Sequence, residues 1–179
     1  MIGLFFGSTN GNTAAVAQLI QREFAEQVGL EVELFDIAEY YLEEMLEFDY
    51  LILGIPTWNI GQLQRDWEAV FDEFDQLNLH DKQAAVFGLG DQEGYPDTFG
   101  DALFFLADKL ESQGIKLAGS WPTEGYTFSG SWAVRDDRFL GLMIDEDNQA
   151  DLTPERVEAW VRQLVNEFGL TEIQNNTTA

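Results

Sequence analysis

The chain has 179 residues, 45% of them hydrophobic and 13% aromatic, which suits one domain with a substantial core and excludes a disordered chain. Its 33 acidic residues against 9 Lys plus Arg give a formal net charge of -24, which argues against nucleic-acid backbones and anionic membranes as partners. Cysteine is absent, so disulfides, thiolate catalysis and iron–sulfur ligation by this chain are excluded, and no apolar stretch approaches the roughly 20 residues of a membrane span.

In chain order, Ile2–Phe6 reads as a buried strand, and Val16, Ile20, Phe24 and Val28 then repeat every four residues on one face of a helix. A second strand is expected over Glu31–Phe35, an ambiguous stretch or short helix over residues 39–48, and a third strand over Tyr50–Ile55. The stripe Trp67, Val70, Phe71, Phe74 and Leu77 predicts one helix, Ala84–Leu89 a fourth strand, and Phe99, Leu103, Leu106 and Leu110 another helix. A fifth strand at Ile115–Ala118 is interrupted by residues 119–138, rich in Gly, Ser, Pro and aromatics, before Phe139–Ile144 resumes as strand. The last helix carries Val157, Trp160, Val161, Leu164 and Phe168, with Thr153 as N-cap and Pro154 in its first turn. No basic stretch followed by an apolar one precedes the first strand, so no signal peptide is expected, and a cytoplasmic location is the simplest fit.

Alternating strands and helices at this spacing predict an α/β fold: a doubly wound five-stranded parallel sheet of order 2-1-3-4-5, helices on both faces, and the fifth strand split by the insertion. Residues 1–170 are expected to form a single domain with 171–179 a polar tail. In such sheets a ligand sits beyond the carboxyl ends of the strands, where the strand order reverses. Three loops lie just past the first, third and fourth strands and would converge there.

The first loop, Ser8, Thr9, Asn10, Gly11, Asn12 and Thr13, leads into a helix N-terminus, where free N–H groups and the helix dipole favour an anion. It has neither the Gly-Lys-Ser/Thr of a P-loop nor a Gly-x-Gly-x-x-Gly fingerprint, so it suits a terminal monophosphate held by neutral donors. A helix-capping turn of no further consequence would look the same in isolation. The other loops each place one large ring on a turn: Trp58 in Pro56–Gly61 and Tyr95 in Gly90–Tyr95. Trp67 and Trp160 fall on helical apolar stripes and read as core; Trp58 has no such stripe. A phosphate cradle and two aromatic plates together suit a flat phosphorylated ring system, which points to flavin mononucleotide (FMN).

These segments carry a resemblance. Gly54–Gly61, Gly90–Gln92 with Gly94 and Tyr95, and Gly141-Leu142 with Asp145–Gln149 follow the pattern of the long-chain flavodoxins, and the match covers nearly the whole chain. The 119–138 insertion resembles the loop that distinguishes long-chain from short-chain members. The resemblance implies a flavodoxin-like fold and non-covalent FMN, with phosphate on Ser8–Thr13 and the ring between Trp58 and Tyr95. Thr57, Asn59, Ile60, Gly61, Leu89, Gly90 and Thr98 complete the implied cofactor-binding set, with Asp91 near the ring and Asp147 toward the ribityl chain. Family members flip one peptide toward the ring on one-electron reduction, here Asn59–Ile60. Asn10, Leu89 and Thr98 stand where the family commonly has Thr, Thr and Asn, and Glu93 adds a negative charge beside the Tyr95 loop.

The implied function is a low-potential one-electron carrier, a ferredoxin substitute without substrate turnover of its own. The acid surplus fits either solubility in a saline interior or steering toward redox partners with basic docking faces. Ferredoxin–NADP reductase, and photosystem I in a photosynthetic host, are the partners the resemblance implies, and the chain is expected to be a monomer. An FMN-dependent NAD(P)H:quinone reductase on the same fold is the alternative, but no basic cluster stands ready for a second nucleotide. A receiver-type signalling domain would need an acidic phosphoacceptor where the chain has Ile55-Pro56-Thr57. A calcium loop at Asp145–Asp151 fails because Ala150 takes the Gly position and Arg156 that of the bidentate acid. His80, the only histidine, excludes His-dependent triads and multi-histidine metal sites.

Overall fold

Period-two alternation in the first strand sorts its side chains between two cores. In the computed structural model, which describes residues 1–170, β1 (Ile2–Phe6) is buried throughout. Ile2, Leu4 and Phe6 join one apolar cluster and Phe5 the other. The same alternation recurs in the third and fourth strands of the chain, β3 (Tyr50–Pro56) and β4 (Gln83–Leu89). Leu51, Leu53, Ala84 and Val86 face one side, while Ile52, Ala85 and Phe87 face the other. With β2 (Val32–Asp36) and β5 (Leu117–Ala118), these strands form a parallel sheet of order β2-β1-β3-β4-β5. The doubly wound order and the helices on both faces are as the residue pattern predicts.

One face is covered by α1 (Asn12–Val28) and the C-terminal helix, whose Val16, Ile20, Phe24, Val157, Trp160 and Leu164 lie in one cluster. The other face is covered by α2 (Arg65–Val70) and α3 (Ala102–Ser112). Each fully buried Leu, Ile or Phe on these faces stabilises the fold by about 1.5–3 kcal/mol relative to an exposed side chain. No helix among the described residues is long and apolar enough to cross a membrane.

Three helix expectations need correction. The stripe from Trp67 to Leu77 is not one helix. The α-helical turns end at Val70 (φ -111°, ψ 1°), and Phe71–Gln76 continue as a 3-10 segment. Tertiary packing outweighs the local period: Trp67 stacks on Phe74, ring centroids 5.9 Å apart. Phe99 does not belong to α3, because Gly100 (φ 68°) turns the chain before Ala102. Its ring packs instead on Tyr126 and Phe128 of the insertion and on Phe139 just after it. Thr153 is not a cap but the first residue of α4 (Thr153–Glu167); it is buried, and its hydroxyl donates to the Glu146 carboxylate. The ambiguous 39–48 stretch contains a 3-10 turn at Leu42–Glu47.

The insertion splits the fifth strand as expected. β5 pairs with Ala84 and Ala85, and β9 (Leu142–Ile144) continues along the same edge of β4 opposite Phe87–Leu89. Between them β6 (Trp121–Pro122), β7 (Val134–Arg135) and β8 (Arg138–Phe139) form a separate antiparallel sheet of order β6-β8-β7. Phe139–Ile144 is therefore not one strand, since Phe139 belongs to the small sheet. Gly141 makes the return possible: a Cβ there would run into the Val86 carbonyl oxygen. The expected tail, 171–179, lies outside the described residues.

Candidate functional site

The order reversal between β1 and β3 brings the three loops to one edge of the sheet. They enclose a cleft of about 260 Å³ lined by Asn10, Asn12, Pro56, Thr57, Trp58, Asn59, Leu89, Gly90, Asp91, Tyr95, Glu146 and Asp147. Of the sequence-predicted set, Ser8, Thr9, Gly11, Thr13, Ile60, Gly61 and Thr98 do not line it. Pro56 and Glu146 do, although neither is in that set.

At one end of the cleft, Gly11 turns the chain in the left-handed region (φ 88°) and α1 begins without a capping side chain or an acid in its first turn. The Ser8 hydroxyl accepts from Ala14 N at a long 3.4 Å, and Asn10 Oδ1 accepts from Asn12 N at 3.3 Å. These weak internal contacts leave the helix start electropositive in a chain of net charge -24. Thr9 is turned away from the cleft: its Oγ1 accepts from the buried Gln64, which also accepts from Trp67 N and so caps α2.

The second loop is closed by a reciprocal pair of backbone bonds between Trp58 and Gln62, 3.0 and 2.7 Å. Asn59 takes a left-handed conformation (φ 46°) and its amide donates to Gln62 Oε1. Ile60 stands at the tip, 74% exposed. Thr57 is fixed at both ends, its N–H donating to Leu89 O and its hydroxyl accepting from Ala102 N. Trp58 is a partition: one side faces Asn10 and Asn12 in the cleft, the other an outer depression shared with Thr9, Gln62 and Arg65. Its indole Nε1 is buried and has no hydrogen-bond partner within the protein. A buried donor left unpaired is disfavoured by about 1–3 kcal/mol, so its place beside the α1 N-terminus fits an external acceptor.

The third loop is organised by Asp91. Its Oδ1 accepts from Glu93 N, Gly94 N (2.7 Å) and Asn148 Nδ2 (2.8 Å). The Gly94 and Asn148 bonds hold this carboxyl below the usual aspartate range. Asp145 is fully buried and accepts from Gln92 and Asn148, tying this loop to the segment after β9; Gln92 also accepts from Thr127 N of the insertion. Tyr95 remains 42% exposed on the rim. Leu89 offers only backbone, and that is used: its carbonyl accepts from Thr57, while Gly90 N donates to Ile144 O. Thr98 lies behind Tyr95, its N–H reaching the Tyr95 carbonyl at 3.4 Å.

The charged residues lining the cleft are all acids: Asp91, Glu146 and Asp147. Desolvation, then repulsion by Asp91, Asp145 and Glu146, raises the Asp147 carboxyl above its ordinary value. For Asp91 the sign is opposite. Its lowered folded value means that its stabilising effect is full above the unfolded value near 3.8 and is lost as pH falls through the folded one. Asp91→Ala is expected to destabilise the protein by about 1 kcal/mol at pH 7, the bonds being partly solvent-screened. That difference should shrink as pH drops below 4 in urea titrations; a constant difference down to pH 3 would contradict it.

Comparison with known proteins bears on this arrangement. The family model described as Flavodoxin matches residues 4–160. A flavodoxin of Picosynechococcus sp. is 54% identical over 94% of this chain and 98% of its own. Flavodoxin 1 of Escherichia coli is 44% identical over 97% of each chain. In structure, the Fusobacterium nucleatum flavodoxin bound to flavin mononucleotide superposes with a TM-score of 0.86 at 25% identity, covering 93% of this chain and 97% of that one. With its strand order, its three convergent loops and these relatives, the chain belongs to the flavodoxin family.

Proposed function

We propose that this protein is a low-potential one-electron carrier that binds FMN non-covalently in the cleft and exchanges electrons with other redox proteins. The observation that carries the reading is the unpaired, buried Trp58 Nε1, in a cleft lined also by Tyr95 and by Asn10 and Asn12 at the uncapped start of α1. The donor set fits a phosphate and the two rings fit a flat heterocycle. Ser8–Thr13, with Thr9 through its backbone alone, and the Trp58 N–H would hold the phosphate; Thr57–Gly61, Leu89–Asp91, Tyr95 and Thr98 would flank the ring, and Asp147 the ribityl chain. When bound, FMN supplies one-electron redox chemistry.

The protein's part is to bind, orient and polarise. Trp58 and Tyr95 exclude water from the ring faces, while the modest cleft volume leaves a ring edge toward solvent, where electrons can pass. Asp91, Glu146 and Asp147 resist added negative charge in the cleft. One acid about 10 Å away opposes it by roughly 1–2 kcal/mol at an effective dielectric of 20, which lowers the potential of the second electron. The Asn59–Ile60 peptide is the segment able to reorient toward the ring. Asn59 tolerates its positive φ, but Gly61 is confined by Asp101, since a Cβ there would lie 2.9 Å from Asp101 Oδ2.

Redox proteins are the partners of such a carrier. Ferredoxin–NADP reductase, and photosystem I in a photosynthetic host, would be such partners, and an acidic carrier would meet basic faces on them in the cytoplasm. Residues 1–170 would act as one FMN-binding domain and the chain as a monomer. Anaerobic reductive titration followed by absorbance tests the reading. FMN uptake at one per chain and reduction in two resolved one-electron stages are expected. Protein that takes up no FMN would overturn it, and NADPH oxidation without added reductase would favour the reductase-type enzyme.

A further inference from the structure

Two aromatic rings of the insertion, Tyr126 and Phe128, and Phe139 just after it pack on Phe99, but Trp132 is turned outward. It is 63% exposed, while its neighbour Ala133 is fully buried in the core. The two residues form a turn, closed by Val134 N donating to Ser131 O at 3.4 Å, and the turn sends one side chain in and the other out. The position is held by its backbone N–H, which donates to Asp101 Oδ1 at 2.8 Å. Beneath the indole lie the half-buried rings of Phe104 and Phe105 on α3, each with its centroid 6.0 Å away. A single exposed apolar side chain is ordinary; three aromatic rings in contact at the surface form a patch.

The patch is mounted on the same support as the cleft rim. Asp101 Oδ1 holds Trp132 while Asp101 Oδ2 lies against Gly61, next to the exposed Ile60. The following N–H, that of Ala102, donates to Thr57 of the cleft. The exposed acid Asp108 stands one helical turn from Phe104 and Phe105, and the neighbouring Lys109 is neutralised by its ion pair with Asp75. Arg135, on β7, is paired through both guanidinium nitrogens with Glu111.

We propose that the Trp132–Phe104–Phe105 patch is a docking anchor for a basic redox protein, one with an apolar centre ringed by Lys or Arg. The inference rests on the electron-carrier reading and adds to it a surface outside the cleft. Trp132 inserts into the partner's apolar centre while Asp108 and the acidic field of the chain meet the partner's cations. Charge selects this occupant over a second copy of the chain, because each copy carries a formal -24.

The test uses the FMN-loaded wild type, Trp132→Ala and Trp132→Phe, with cytochrome c and ferredoxin–NADP reductase as basic probes. Calorimetric titration at low and at physiological ionic strength reads the dissociation constant. Trp132→Ala is expected to weaken binding of at least one probe about tenfold, and Trp132→Phe two- to threefold. FMN affinity and reduction potential should stay unchanged, because Trp132 does not line the cleft. Wild-type affinity for both probes in Trp132→Ala would overturn the proposal. So would a wild-type dimer in sedimentation that becomes monomeric on the same substitution, since the occupant would then be a second copy. Failure to take up FMN would instead overturn the carrier reading, while probe binding to the protein would still be measured.

Discussion

Trp58→Ala should bind FMN about 100-fold more weakly than the wild type. The substitution removes one of the two aromatic plates, worth about 1 kcal/mol beyond area burial, and a buried donor suited to a charged acceptor, worth about 1.5–3 kcal/mol. Together these approach 3 kcal/mol, or two powers of ten in affinity. Trp58→Phe separates the contributions: it keeps a plate, loses the N–H and should cost about tenfold. Riboflavin, which lacks the phosphate, should lose little affinity on the Phe substitution if the N–H serves the phosphate. Fluorescence titration of the wild-type and variant apoproteins with both flavins reads these affinities. An FMN affinity of Trp58→Ala within twofold of wild type would sink the assignment of Trp58 to the site.

Trp67→Ala should destabilise the apoprotein by about 3–5 kcal/mol, a large share of the 5–15 kcal/mol typical of a domain. Its side chain is fully buried and stacks on Phe74, and its Nε1 donates to the Gly54 carbonyl at 2.9 Å. The same carbonyl accepts from Gly7 N, where β1 passes into the first loop. Truncation therefore opens a cavity and also loosens the joint between two of the site's loops. Trp67→Phe keeps most of the packing and removes only the N–H, so about 1–2 kcal/mol is expected. Urea denaturation of the apoprotein is the appropriate measurement, because FMN would add its own binding free energy to the folded state. A loss under 1 kcal/mol for Trp67→Ala would contradict this account of the core.

The strands and the two helices on the β1 side of the sheet are legible because their side-chain periods are unbroken: Val16, Ile20 and Phe24 on α1, and Val157, Trp160 and Leu164 on α4. Legibility fails where a period continues across a backbone change. The stripe from Trp67 to Phe74 keeps an apolar rhythm through a switch to 3-10 geometry, and Phe99 keeps the rhythm of α3 from beyond Gly100. In the candidate site, the residue types that look out of place locally were found: Trp58 and Tyr95 on turns, and a loop of neutral donors without a basic residue. The roles of Gln64, Gln92 and Asn148 were not, since they depend on partners remote in the chain (Thr9, Asp145 and Asp91) and leave no local pattern.

Thus the sequence by itself determined the strand-and-helix alternation, the split fifth strand, the acidic field and the chemistry each loop could offer, all of which depend on neighbours within a few residues. Only the tertiary structure decided which of those loop residues share a cleft, that Thr9 turns away to Gln64, that the Trp58 N–H is left unpaired, and that Trp132 stands on the same carboxylate as Gly61. Side-chain period is a local property of the backbone. Convergence is set by the order in which distant strands pair and by where their carboxyl ends meet.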